Sequence, residues 1–590
     1  MKQFFKFMFA SMLGTFLMII ITAVIFFTFV VIAVSGLQRE KTESIPSHSI
    51  IKIKLDYSIP DRTSANPFPG IFSGTLSMSR KLGLNDIIQN IRKAKNDQDV
   101  DGIYLDLNNF MPGGMATVEA IRRELVDFKR SRKFIIAFGN DISQNAYYLG
   151  SVADRIYLNP EGGLDFKGIS AELVFFKKTL DKLEIEPQIF QYGKYKSATE
   201  PFKFDRMSED NKKQTTELLN SIYGNMIKMI SESRHIPQDE LNKISTGLLI
   251  RTPEDATKLH FIDSLIYSDQ VMDELKAKTV GSKSNRLSLV SIEDYNDVTE
   301  KSSYSGRNRV AVIYANGDIQ NTQGSETVIG TENIAEAIRT AREDKNIRAI
   351  VMRVNSPGGD ALVADEIWRE VVRAKKEKPF IISMGNYAAS GGYYIACAAD
   401  TIVAEPNTIT GSIGVFGIIP NMEGFFKNKL GITFDRVKTG KYSDLGSTTR
   451  PFSAEEKAII QKEIDRVYET FVKKVADGRK KTFAQVDDIA QGRVWTGVQA
   501  KERGLVDIIG GLDDAVKVAA SRAKIGQFSI VEYPRKRGFL KSILEDISSE
   551  TEESIMKLKL GDNFRYYKSL QQATDLQGVQ ARLPYDIGIY

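Results

Sequence analysis

The segment Gly385-Asn386-Tyr387-Ala388-Ala389-Ser390-Gly391-Gly392-Tyr393-Tyr394 has a partial copy of itself earlier in the chain. There Gly139-Asn140 leads to Tyr147-Tyr148, at an offset of about 246 residues. The match extends in both directions. Upstream, Asn90-Ile91-Arg92-Lys93-Ala94, Ile103-Tyr104-Leu105 and Pro112-Gly113-Gly114 align with Ala337-Ile338-Arg339-Thr340-Ala341, Ile350-Val351-Met352 and Pro357-Gly358-Gly359. Downstream, Ala153-Asp154 and Pro160 align with Ala399-Asp400 and Pro406, and Gly193-Lys194-Tyr195 with Gly440-Lys441-Tyr442. So many ordered anchors define a tandem repeat. Within each copy a helical stretch (Ile87 to Lys95, Ile334 to Ala341) precedes a β-branched run (Gly102 to Leu107, Ala349 to Val354). That alternation predicts an α/β class with right-handed βαβ units on a mainly parallel sheet. The expected organisation is 1–38 as N-terminal tip and membrane anchor, 45–300 as first repeat and 308–534 as second repeat. Lys301 to Arg307 reads as a linker, and 535–590 as a C-terminal extension with no chemistry of its own.

The 590 residues exceed what one core supports, and a net charge of +5 with interspersed signs gives no nucleic-acid signature. A single cysteine, Cys397, rules out an intrachain disulfide and a cysteine-built metal site, and its apolar neighbours predict a small core residue. Phe7 to Leu37 carries no charge and is long enough to cross a bilayer as one helix, too long for the apolar core of a cleaved signal peptide. Lys2 and Lys6 precede it, and the balanced Arg39, Glu40, Lys41 and Glu43 follow. The positive-inside rule therefore places the N-terminus in the cytoplasm and the rest outside.

Only His48, His235 and His260 are available, none within a repeat anchor, which disfavours both a Ser-His-Asp triad and a zinc hydrolase. His235 reads as a surface helix residue. No metal or other cofactor is called for. Ser390, among small residues at a predicted helix entrance, suits a nucleophile; its counterpart in the first repeat is Gln144, with Asn145-Ala146 in place of Gly391-Gly392. Asn355-Ser356-Pro357-Gly358-Gly359 follows a strand as a tight turn, able to aim N–H groups at an oxyanion together with Gly391. With histidine excluded the base is a lysine, made neutral by loss of solvation. Lys196 fits because its second-repeat counterpart is Ser443, so each repeat lacks what the other retains; Lys194 and Lys441 stay open as rivals.

Together with Thr410-Gly411-Ser412-Ile413-Gly414-Val415, these motifs resemble the signal peptide peptidase A family in its long, two-repeat, membrane-anchored bacterial form (protease IV). The resemblance covers the anchor to about Pro534. It implies a Clp-protease/crotonase-like fold in each repeat, Ser390 as nucleophile, Lys196 as general base and Ser412 as the hydroxyl orienting the lysine. The oxyanion glycines are then Gly358, Gly359 and Gly391. It further implies a homotetrameric bowl in the inner membrane, with catalytic domains on the periplasmic side, degrading cleaved signal peptides and similar apolar peptides. Two alternatives stand beside it: a crotonase-type acyl-CoA enzyme, and a membrane scaffold built on a decayed peptidase.

Overall fold

The computed structural model describes residues 2–37, 44–64, 81–279, 287–298, 306–535, 556 and 579–583. Helix Lys2–Leu37 stands at the N-terminus, and its apolar window Gln3–Thr22 has a mean hydropathy of 2.0 and packs against nothing. It is the apolar helix of a membrane anchor or signal sequence. Residues 301–305 of the expected linker lie outside the described residues.

Each repeat builds its own α/β unit. In the first, strands run in the order Ser264–Leu265, Arg155–Leu164, Phe134–Ile142, Val100–Asp106, Ser49–Lys54, Leu289–Ser291, every neighbouring pair parallel. In the second, the main path is Val494–Thr496, Ile409–Gly411, Phe380–Ala389, Ile347–Ser356, Arg309–Asn316, Ser529–Tyr533. The central strands read as continuous apolar runs because helices cover both faces. Strand Ile347–Ser356 accordingly buries Ala349 through Val354. Helix Leu84–Asn96 buries Leu84, Ile87, Ile88, Ile91 and Ala94, and its repeat counterpart Thr331–Glu343 buries Ile334, Ala335, Ala337, Ile338 and Ala341. Both sets follow the helical spacing of one apolar stripe. Cys397 is fully buried in the second core.

A third sheet joins the repeats. Its order is Val328–Ile329, Asp318–Ile319, Gly358–Asp360, Gln580–Arg582, Val415–Asn421, Glu186–Tyr192. Strand Glu186–Tyr192 of the first repeat pairs antiparallel with Val415–Asn421 of the second, from Tyr192 opposite Val415 to Glu186 opposite Asn421. Two readings change here. The Gly-Gly segment is a short strand rather than a tight turn, because Gly358 and Gly359 take φ of 106° and 151°, conformations open to glycine, and so leave the second repeat's main sheet for this one. The C-terminal extension is also not separate from the chemistry-bearing sheet. Gln580–Arg582 forms one of its inner strands, with Gln580 and Ala581 buried and Arg582 half-buried.

Polar contacts outside this sheet also join the repeats. Arg353 donates to Asp61 at 2.7 Å, Asn355 Nδ2 donates to the other Asp61 oxygen at 2.6 Å, and Asp61 and Arg353 are both buried. Arg123 makes a bidentate pair with buried Glu405 at 2.5 and 2.9 Å.

Candidate active site

Strand Phe380–Ala389 runs beside Ile409–Gly411 and delivers Ser390 to the N-cap of the short helix Gly391–Ala396. Its N–H donates to the Gly411 carbonyl at 2.8 Å and its carbonyl accepts from Tyr394 N–H at 2.8 Å. Clamped between strand and helix, Ser390 holds φ 53° and ψ −113°. A non-glycine residue in such a region costs on the order of 1–3 kcal/mol and persists only where its surroundings fix it. Ser412 also has a positive φ, 50°, with its N–H donating to Arg493 carbonyl oxygen at 2.7 Å.

Lys196 arrives from the other repeat. Four residues beyond strand Glu186–Tyr192, its loop is tied down by Tyr195 N–H donating to Gln491 carbonyl oxygen at 3.0 Å and by Gln214 Nε2 donating to the Tyr195 carbonyl and the Ser197 hydroxyl, both at 3.0 Å. The lysine is 1% exposed and Ser390 and Ser412 are wholly buried. Lys196 Nζ lies 2.8 Å from Ser390 Oγ, 3.0 Å from Ser412 Oγ and 3.2 Å from the Ser412 carbonyl oxygen. Burial alone pushes its pKa well below 10.5. The three contacts match a neutral amine: two N–H groups donate to the two Ser412 oxygens, and the lone pair is left for the Ser390 hydroxyl proton.

The other sequence candidates lie elsewhere. Lys194 is exposed on the surface, and Lys441 is exposed and paired with Glu455. Ser443, the repeat counterpart of Lys196, is exposed, and Gln144, that of Ser390, accepts from the N–H groups of Lys167 and Gly168 at 3.1 and 3.0 Å. His235 is the exposed left-handed C-cap of helix Glu209–Arg234. Of the three glycines expected to line an oxyanion hole, Gly358 has its N–H directed to Ser356 Oγ at 3.2 Å. No cluster of three or more His, Cys, Asp or Glu able to hold a metal occurs among the described residues.

Sequence reasoning missed Gly492. A Cβ there would come within 2.6 Å of the N, Cα and Cβ of Lys196, and its φ of 82° already favours glycine. Its signal was only a Gly in a turn, Gln491-Gly492-Arg493, which nothing local connects to a lysine almost three hundred residues earlier. Gly492→Ala is expected to shift the lysine and lower kcat about 100-fold while circular dichroism stays that of the parent. An unchanged kcat would show that the lysine's seat tolerates displacement.

The model of peptidase family S49 matches residues 127–281 and 372–526, one match in each repeat. Protease 4 of Salmonella typhi is 35% identical over 542 residues, covering 89% of this chain and 87% of that protein. The chloroplastic serine protease SPPA of Arabidopsis thaliana is 33% identical, covering 85% of this chain and 74% of that one. Among solved structures, a ClpP1 N165D mutant from Listeria monocytogenes aligns with 18% identity and a TM-score of 0.24, over 35% of this chain and 94% of that one.

Proposed function

The chain belongs to peptidase family S49, and from that membership we propose that its Ser390 and Lys196 form the dyad with which it cleaves apolar peptides, signal peptides already released from their preproteins among them. The observation that carries this reading is the 2.8 Å approach of a fully buried lysine amine to a fully buried serine hydroxyl. As a peptide carbonyl enters, Ser390 Oγ attacks its carbon and the Oγ proton passes to Lys196 Nζ. Negative charge on the carbonyl oxygen is met by the N–H groups of Gly359 and Gly391. Ser412 accepts the two amine N–H groups and keeps the lone pair aimed at Ser390. The lysinium then gives its proton to the departing amine, and a water activated by the same lysine hydrolyses the ester. The apolar N-terminal helix supports a place at the inner membrane with the peptidase repeats on the periplasmic side, where spent signal peptides lie in the lipid; the homotetramer in this proposal rests on the family resemblance alone.

The pH dependence follows from the lysine. Only its neutral form accepts the proton, and burial lowers its pKa, so activity is present above that lowered value and is lost as the pH falls through it. A profile of kcat/KM against pH is expected to show its acidic limb well below 10.5. A limb at 10.5 would mean that the lysine in use is solvated and is not Lys196. Cleavage of a synthetic signal peptide by the detergent-solubilised protein, compared with a charged peptide of equal length, tests the substrate class. Equal kcat/KM for the two would remove the preference for apolar chains.

A further inference from the structure

The turn Gln491-Gly492-Arg493 of the second repeat holds both segments that meet at the Lys196 amine. Its Gln491 carbonyl accepts the Tyr195 N–H at 3.0 Å, its Gly492 N–H donates to the Ile413 carbonyl at 2.8 Å, and its Arg493 carbonyl accepts the Ser412 N–H at 2.7 Å. The Arg493 side chain makes the same bridge a second time. Its guanidinium carbon stands 4.9 Å from the centre of the Tyr195 ring and 4.3 Å from that of Trp495, and its edge pairs with Glu217 on helix Glu209–Arg234 of the first repeat. Trp495 is itself fixed, buried and donating through Nε1 to the Ile489 carbonyl at 3.0 Å. Arg493 Nε is buried with no hydrogen-bond partner among the described residues, so the side chain is held for its stacking and its position rather than to complete a network. The first repeat has the turn without the arginine: Gly247 stands 245 residues before Gly492 (492 − 247 = 245), and the exposed Leu248 and Leu249 follow it. The arginine thus stands in the repeat that carries the serine.

We infer that Arg493 is a positioning residue of the dyad: stacked on Tyr195 and pinned by Glu217 of the other repeat, it fixes where Lys196 stands against Ser412 and Ser390. The inference rests on Ser390 and Lys196 being that dyad. A guanidinium suits the task because its plane can lie against aromatic rings while its edge pairs with a carboxylate, which a compact ammonium cannot do. Without it Tyr195 is free to swing, and the neighbouring Lys196 Nζ loses its fixed approaches of 2.8 Å to Ser390 Oγ and 3.0 Å to Ser412 Oγ. The lone pair is then aimed at the serine less often, which lowers kcat. Water also reaches an amine that is 1% exposed in the parent, so the burial that holds its pKa down is weakened and the pKa climbs toward 10.5. Arg493 acts through Tyr195 and not on the reacting atoms, so its loss falls on kcat rather than on KM.

Steady-state kinetics across pH, with the full, detergent-solubilised protein and a synthetic signal peptide, tests this. Arg493→Met is expected to lower kcat about 30-fold with KM within about 2-fold of the parent, and to move the acidic limb of kcat/KM upward by about one pH unit. Arg493→Lys keeps the charge but not the stacking plane, and is expected to remain about 10-fold below the parent. Glu217→Ala, at a half-buried position on a helix face, is expected to move kcat and the acidic limb in the same directions by smaller amounts, and it carries the test should Arg493→Met fail to fold. An acidic limb unmoved in the folded variants, or a loss confined to KM, would overturn the inference while leaving the dyad intact. Failure of the parent to label at Ser390 with a serine-directed phosphonate would instead overturn the dyad.

Discussion

Replacing Lys196 with alanine is expected to lower kcat for peptide hydrolysis by about 10⁴- to 10⁶-fold, and Ser390→Ala to do the same. The reason is that each group is useless without the other: a buried serine hydroxyl at its ordinary acidity is a poor nucleophile, and a neutral lysine with no hydroxyl 2.8 Å away has no proton to take. The double variant should therefore be no slower than either single one, as groups acting as a unit are strongly non-additive. Fold should survive, since Lys196 forms no ion pair among the described residues and its removal relieves the loss of solvation that lowers its pKa. Steady-state kinetics of the three variants checks this. Multiplying losses in the double variant would show that the two groups act independently.

Asp61→Ala is expected to destabilise the protein by about 3–5 kcal/mol, because it strands the Arg353 guanidinium in a buried site with its charge uncompensated. Asp61 does more than neutralise. It accepts from Asn355, whose own side-chain oxygen accepts from Tyr387 N–H at 3.1 Å, so one carboxylate braces both the strand leading to Gly358 and the strand leading to Ser390. A lower denaturant midpoint should thus be accompanied by lower kcat in the molecules that remain folded. Replacing Asp61 and Arg353 together by apolar residues should recover most of the stability, since no orphaned charge is left. Asp61→Ala with an unshifted midpoint would show that water reaches the arginine.

The architecture and the approach of Lys196 to Ser390 were legible because repetition turns small differences into signals. Gln144 against Ser390 and Lys196 against Ser443 stand out only when the two copies are aligned, and the cross-repeat pairing of Glu186–Tyr192 with Val415–Asn421 carries the first repeat's Lys196 to the second repeat's Ser390. The crotonase-type alternative falls with the family match in both repeats. What sequence did not carry depends on distance along the chain. The seat of Lys196 on Gly492, the Asp61–Arg353 pair and the tail strand each join segments hundreds of residues apart with no local periodicity to announce them. Arg353 offered a faint hint, as one charge inside the apolar run from Ala349 to Val354. The tail offered only the alternation of Val579, Ala581 and Leu583, too short to separate from a loop. Nor does spacing tell which glycine N–H is already engaged, as that of Gly358 is by Ser356 Oγ.

The most direct measurement is the site and rate of labelling by a serine-directed phosphonate in the parent and in Lys196→Met. One adduct at Ser390 in the parent, forming at least 1,000-fold more slowly in the variant (on the order of the loss from removing a catalytic base), is the predicted result. Labelling at another serine, or at Ser390 with an unchanged rate in Lys196→Met, would contradict a nucleophile in one repeat activated by a lysine from the other.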